Sequence, residues 1–289
     1  MPRRLSARAA RRSRAGVVAL LAGIALMTVS GGAIGEVVKY VRYQHAGAVG
    51  YGIVDGPTVR VLNGNFLVPH AETGETVALA DVTLLPPTVP TKVLAVGLNY
   101  ASHAGGSGAG NPQLFAKLPS SLVGHGDAIV LPPDSDNVHY EGEMVIVIGK
   151  RAQNVPEERV ADHVFGISAG NDVSARDWQS SDLQWVRAKA SDTFGPVGPV
   201  VARGLDYGNL LLETRVNGEV RQSERTSHLI HNVAKIVSFT SRYVTLEPGD
   251  LIFTGTPGRT RRLKPGDVVE VTIEGVGTLR NRVVAGRRD

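Results

Sequence analysis

Short apolar runs cut off by glycine and proline turns repeat along the body of this chain, and that punctuation most constrains its fold. With 34 Gly and 16 Pro in 289 residues, few stretches are long enough for an extended amphipathic helix. Residues 39–44 (KYVRYQ), 49–54, 58–64 and 75–79 read as strands separated by Gly-containing turns. Pro86, Pro87 and Pro90 form a connection that can continue neither a helix nor a central strand. Residues 92–98 (KVLAVGL) then read as an apolar strand. Further β-runs follow in EGEMVIVIG, DLIFTG, VVEVTIEG and TLRNRVV. Helical patterns are confined to residues 156–164 and 228–241, and no repeat or heptad is visible. The expectation is a mainly β chain with a few helices, of the α+β class. A small β-rich region over 37–88 precedes one large domain over 89–285.

Charge is unevenly distributed. The whole chain carries +4, which alone suggests a nucleic-acid or acidic-membrane partner. Residues 1–35, however, hold six arginines (Arg3, Arg4, Arg8, Arg11, Arg12 and Arg14) and no acid, leaving 25 basic against 27 acidic residues in the body. The basic character belongs to a leader over 1–36, and no nucleic-acid partner is expected. Its uncharged stretch, 15–35, has the layout of a signal peptide or an N-terminal membrane anchor. The strongly apolar part is short for a span of about 20 residues. A mispredicted upstream start is the third reading, in which case the protein stays in the cytoplasm; otherwise it is exported or anchored. There is no cysteine, which excludes disulfide scaffolds, zinc ribbons, Fe–S clusters and thiol catalysis.

Four features could carry chemistry. Glu141-Gly142-Glu143 leads into an apolar run. Residues i and i+2 of a strand share a face, so the two carboxylates lie side by side. Such a pair suits either a solvated strand end or a hard-cation site for Mg²⁺, Mn²⁺ or Ca²⁺. A second cluster, residues 171–177 with Gln179, follows another apolar segment. It reads as turn chemistry, or Asp172 supplies a third carboxylate to the same ion. His103 stands just past the strand 92–98 and is a candidate base. Lys189 precedes a Gly/Pro turn; it is a surface charge or the partner of an enolate oxygen. The glycine run 105–110 lacks the Lys-Ser/Thr of a phosphate loop. His228 and His231 are read as surface residues of one helix, and Arg259, Arg261 and Arg262 as a solvated basic turn.

Taken in order, seven tokens resemble the fumarylacetoacetate hydrolase family over about residues 38–284. They are Gly97-Leu98-Asn99-Tyr100 with His103; Phe115-Ala116-Lys117 with Ser120-Ser121; Tyr140-Glu141-Gly142-Glu143; and Asn171-Asp172 through Gln179. Then come Lys189 with Asp192-Thr193-Phe194-Gly195-Pro196; Pro248-Gly249-Asp250 with Thr254-Gly255-Thr256-Pro257; and Ile273-Glu274-Gly275-Val276-Gly277. The resemblance implies a mixed β-sandwich roll, a homodimer and one divalent cation, Mg²⁺ or Mn²⁺ with Ca²⁺ as a further candidate. It assigns Glu141, Glu143 and Asp172 as metal ligands and His103 as the base. Lys189 and Gln179 would contact substrate or position water, and Thr256 would bind substrate.

The reactions implied share one demand, since each places negative charge on an oxygen beside the reacting carbon. A hydrolase cleaving C–C bonds in acylpyruvates or related β-diketo acids is the first expectation. The second is a decarboxylase or isomerase of an oxaloacetate-like or hydroxymuconate-type diacid. A catalytically weakened protein that binds a small acid is the third. Every reading has a small keto acid as partner, with membrane contact only through the leader. Three departures from the family pattern stand out. Gly106 occupies the position, three after His103, where small family members often carry Glu. The segment between His103 and Phe115 is short and glycine-rich, where the family has a lid. The loop after Pro257 is basic and short, Gly258-Arg259-Thr260-Arg261-Arg262.

Overall fold

The computed structural model describes residues 36–287. Apart from Glu36 the leader lies outside them, and so do the signal-peptide, anchor and start-site readings. Among the described residues no helix is long and apolar enough to cross a membrane.

Two mixed sheets form a sandwich. The larger runs, edge to edge, through Glu72–Ala78, Thr58–Leu62, Ala48–Asp55, Val38–His45, Gly195–Arg203, Val164–Asn171, Gly142–Ile148, Leu251–Phe253, Val93–Gly97 and Gln113–Lys117. Its pairs along this path are antiparallel except Leu251–Phe253 with Val93–Gly97. The smaller sheet is Glu219–Arg225, Leu211–Val216, Val268–Ile273, Gly277–Ala285 and Ala128–Leu131. The region 37–88 therefore shares one continuous sheet with the rest, through Tyr40 opposite Val201.

The strand Gly142–Ile148 lies at the centre and is buried along its whole length. Met144, Ile146 and Ile148 face the layer between the sheets, with Leu212, Val271 and Leu279. Val145 and Val147 face the opposite way, onto Val93, Leu251 and Phe253. A strand covered on both faces needs a continuous apolar run rather than alternation, which is what VIVI supplies. Parity then places Glu141 and Glu143 on the side of Val145 and Val147. Gly142, between them, faces the smaller sheet so closely that a Cβ there would lie 1.9 Å from Thr214 Oγ1. The glycine of Glu-Gly-Glu is a point of close approach between the sheets.

Where the proline-rich connection ends, Asp250 closes the junction. Its buried carboxylate accepts from Thr91 N–H (2.9 Å), Thr91 Oγ1–H (2.8 Å), Lys92 N–H (3.0 Å) and Glu247 N–H (2.7 Å), and pairs with Lys92 Nζ (2.5 Å). This hub pins Val93–Gly97 beside Leu251–Phe253.

Helices are few and short. The pattern at 156–164 gives a 3₁₀ segment, Glu157–Asp162, following Pro156. Six residues in the tighter geometry are near the limit for such a helix. The pattern at 228–241 divides. Val233–Ser241 is α-helical, capped by Asn232, whose side chain accepts from Lys235 N–H. His228 ends a separate 3₁₀ turn. His228 and His231 therefore do not share a helix: His228 Nδ1 meets Glu224 Oε1 at 3.0 Å and His231 Nε2 meets the Ala109 carbonyl at 2.9 Å.

Candidate active site

Glu141 and Glu143 open the central strand, and their neighbour Val164–Asn171 brings Asp172 beside them. Asn171 Oδ1 accepts from Glu141 N–H at 2.8 Å and the Glu141 carbonyl accepts from Asp172 N–H at 2.8 Å. The three carboxylates are buried, each offering an oxygen within 4.8 Å of the others. A close triad of hard oxygen donors fits a divalent cation.

Three bases balance the three acids. Lys189, on the short helix Val186–Ala190, places Nζ 2.6 Å from Glu141 Oε2 and 2.7 Å from Asp172 Oδ2. Lys117, at the end of Gln113–Lys117, donates to Asp172 Oδ1 at 2.6 Å and to the Lys189 carbonyl. Arg176 donates to Glu141 Oε1 and, through its other terminal nitrogen, to Gln179 Oε1 at 2.7 Å. Burial pushes the Glu141 carboxyl up, but Lys189 and Arg176 outweigh it and hold it well below the ordinary range. Glu143 goes the other way. Burial and crowding by Asp172 and Glu141 raise it well above the ordinary value, and among the described residues only Gly255 N–H, at 2.7 Å, donates to it. Burial lowers the Lys117 ammonium despite Asp172. For Lys189, also buried, Asp172 and Glu141 prevail and the ammonium is raised. Positive charge is short at Glu143, the place where a cation would relieve the crowding.

His103 stands on the single turn Ala101–Ala104. Its Nδ1 is 2.6 Å from the Gly258 carbonyl, and Nε2 lies 3.5 Å from Glu141 Oε1. A carbonyl only accepts, so the neutral ring carries its proton on Nδ1 and leaves Nε2 as the acceptor. Thr256 Oγ1 donates to the Gly142 carbonyl (2.9 Å) and accepts from Gln222 Nε2 (2.8 Å). Gly255, between Thr254 and Thr256, has φ +105°, and a Cβ there would come 2.7 Å from Asn99 Cβ; only glycine lets this turn reach Glu143.

All seven residues singled out from the sequence (His103, Glu141, Glu143, Asp172, Gln179, Lys189 and Thr256) line one cavity of about 220 Å³, with Phe115 and Trp185 as its apolar wall. Sequence reasoning gave no role to Arg176, Lys117 or Gln222. Arg176 had a visible signal, lying three residues before Gln179 on one helical turn. Gln222 had none, because its partners Gly142, Thr256 and Pro257 are remote in sequence. Arg259, Arg261 and Arg262 are exposed as read, but Thr260 among them turns inward. Thr260 Oγ1 accepts from Arg176 at 3.1 Å and meets His139 Nδ1 at 2.9 Å. Burial and then the Arg176 charge lower the His139 imidazole to about 4.

The model of the fumarylacetoacetate (FAA) hydrolase C-terminal family matches residues 92–284, and an Rv2993c-like N-terminal model matches 38–87. The chain is 40% identical over 266 residues to the mitochondrial oxaloacetate tautomerase Fahd2a of Rattus norvegicus, covering 82% of this chain and 85% of that one. Among solved structures, 2-hydroxyhepta-2,4-diene-1,7-dioate isomerase from Mycobacterium marinum is 41% identical, with TM-score 0.82, over 87% of this chain and all of the other. Maleylpyruvate hydrolase from Sphingobium sp. SYK-6, in complex with manganese(II) ion and pyruvate, is 29% identical, with TM-score 0.74, over 86% of this chain and all of the other. Its relatives thus include a hydrolase, an isomerase and a tautomerase on one fold. On this agreement of sequence and architecture, the chain belongs to the fumarylacetoacetate hydrolase family.

Proposed function

We propose that the chain is a divalent-metal-dependent enzyme that moves a proton on a small 2-oxo or 2-hydroxy-diene dicarboxylate, as a tautomerase or isomerase. The observation that carries this reading is the charge balance of the cavity. When a cation displaces the Glu143 proton, the carboxylates of Glu141, Glu143 and Asp172 offset Lys117, Lys189 and Arg176. A bound divalent cation would leave the cavity at +2, the complement of a dicarboxylate dianion. Glu141, Glu143 and Asp172 would hold that ion, Mg²⁺ or Mn²⁺. When bound, it supplies Lewis-acid stabilisation of negative charge on the substrate's keto oxygen.

The side chains do the rest. Lys189 brings a second positive charge to the same region and Arg176 a planar fork suited to a carboxylate. Gln179 and Thr256 contact and orient the substrate. His103 Nε2 takes the proton from carbon and returns it elsewhere on the substrate. The carbonyl on its Nδ1 fixes the tautomer but contributes no full negative charge, unlike the carboxylate of a His–Asp pair. That suits the transfer of one proton better than activation of water. Phe115 and Trp185 shield the site and strengthen its electrostatics. The tautomerase and isomerase relatives point the same way.

Hydrolysis of an acylpyruvate-type substrate is the second reading, favoured by the likeness to maleylpyruvate hydrolase. One assay separates the two. The purified full chain is given Mg²⁺ or Mn²⁺ and either enol-oxaloacetate or an acylpyruvate, and ultraviolet absorbance is followed. Fast metal-dependent ketonisation that is lost in Glu141→Gln is the expected result. C–C cleavage of the acylpyruvate with no ketonisation would favour the hydrolase. Metal-dependent oxalate binding with turnover of neither substrate would reduce the chain to a binding protein.

A further inference from the structure

Gly106 leaves His103 without the carboxylate partner that its family pattern suggests, and among the described residues nothing but its own chain neighbours lies within 4 Å of where a Cβ at 106 would stand. The structure fills the role differently. Gly258, whose φ is +62°, meets two consecutive residues of one turn. Its carbonyl accepts from His103 Nδ1 at 2.6 Å, and its N–H donates to Ser102 Oγ at 3.0 Å. The Ser102 hydroxyl then donates to Glu224 Oε2 at 2.5 Å. The second oxygen of Glu224 faces His228 Nδ1. Each link has one donor and one acceptor, and the chain ends on a carboxylate.

Glu224 belongs to Glu219–Arg225 of the smaller sheet, whereas His103 follows a strand of the larger one. The chain of hydrogen bonds therefore ties the base to both sheets. The N–H and C=O of Gly258 belong to successive peptide units, so the connection is a mechanical clamp and not one polarised peptide. It holds the carbonyl where a ring proton on Nδ1 can reach it. Without the clamp the loop 258–262, with its left-handed glycine, could turn the carbonyl away and either tautomer could form.

We propose that Ser102 and Glu224 are positioning residues for His103: through Gly258 they hold the imidazole tautomer whose Nε2 accepts a proton from the substrate. This rests on the reading of His103 as the proton-transfer group, but the clamp itself is testable apart from catalysis.

The test uses the full-length chain with Mg²⁺ and ¹⁵N-labelled histidine, the His103 signals being assigned by their loss in His103→Gln. Nitrogen shifts of the neutral ring report which nitrogen bears the proton. The unmodified chain should show it on Nδ1. Ser102→Ala and Glu224→Gln should each give a mixture of tautomers and lower kcat for oxaloacetate ketonisation about tenfold or more, part of what a general base contributes, with KM little changed. Ser102→Thr, which keeps the hydroxyl, should restore both readouts. An unmoved tautomer signal in Ser102→Ala and Glu224→Gln would overturn the proposal. So would a fall in kcat that Ser102→Thr fails to restore. If the unmodified chain turns over no keto acid, the proposed function fails, while the nitrogen shifts still decide whether the clamp exists.

Discussion

At the scale of single residues, the site is a set of charges that settle one another. Glu143 is the group left over: burial and its carboxylate neighbours favour its protonated form. A cation bound by the triad must displace that proton. Mg²⁺ binding should therefore release protons wherever Glu143 still holds its own, and apparent affinity should rise with pH across that range. Calorimetry in buffers of different ionisation enthalpy reads the release, and Glu143→Gln should abolish it. Absence of release in the unmodified chain would mean that Glu143 is already ionised. The Glu-Gly-Glu spacing was legible because strand parity is local. The distant lysines that meet the cluster were placed there only by the family resemblance, or not at all. Lys189 lies 48 residues from Glu141, and Lys117 lies 55 from Asp172; no local period encodes such distances. The Gly258 carbonyl, 155 residues from His103, was equally hidden, and the family pattern offered only the missing glutamate.

At the scale of elements, the strand Gly142–Ile148 is fixed by what cannot be added to it. Gly142→Ala should push Thr214 Oγ1 out of its place, costing about 1–3 kcal/mol as overpacking does and displacing the carbonyl that receives Thr256. Combining it with Thr214→Ala removes the clashing oxygen and should recover part of the loss in urea melts. No recovery would place the strain in the backbone. The neighbouring strand shows where sequence reading stops short. The sequence shows an apolar segment and then turn chemistry from 171 onward, yet one strand runs from Val164 to Asn171. Its second half, Ser168-Ala169-Gly170-Asn171, has poor strand propensity. Packing decides against propensity there: a Cβ on Gly170 would sit 2.4 Å from Val145 Cγ2 and 2.6 Å from Phe253 Cε1. The strand Val93–Gly97 was read correctly, but Leu98 at φ 54° ends it by turning left-handed, which nothing in KVLAVGL announces. The helical patterns were found, although one became 3₁₀ and the other split.

At the scale of the whole molecule, the site is assembled from segments that no one part of the chain contains. His103, Glu141, Asp172, Lys189 and Thr256 arrive on separate elements, and an ion held by Glu141, Glu143 and Asp172, which only folding brings together, favours the folded state alone. At about a hundred times its Kd such an ion adds about 2.7 kcal/mol. Thermal melts should shift upward with Mn²⁺ or Mg²⁺, and Asp172→Asn should lose the shift. A shift that survives Asp172→Asn would put the ion elsewhere. The mainly β class was readable from punctuation, whereas the pairing order was not, because it depends on strands far apart in sequence. The pairing of Val38–His45 with Gly195–Arg203 has a consequence in time. A ribosome adding about 5–20 residues each second delivers the first of these strands about 8–30 s before the second. Until then the meander built on Val38–His45 has an edge open at Val38–Tyr40, since Thr83–Leu84 covers only Tyr43 and Gln44. A helper that shields nascent strands would matter most in that interval, and a pause in translation after residue 45 would lengthen it.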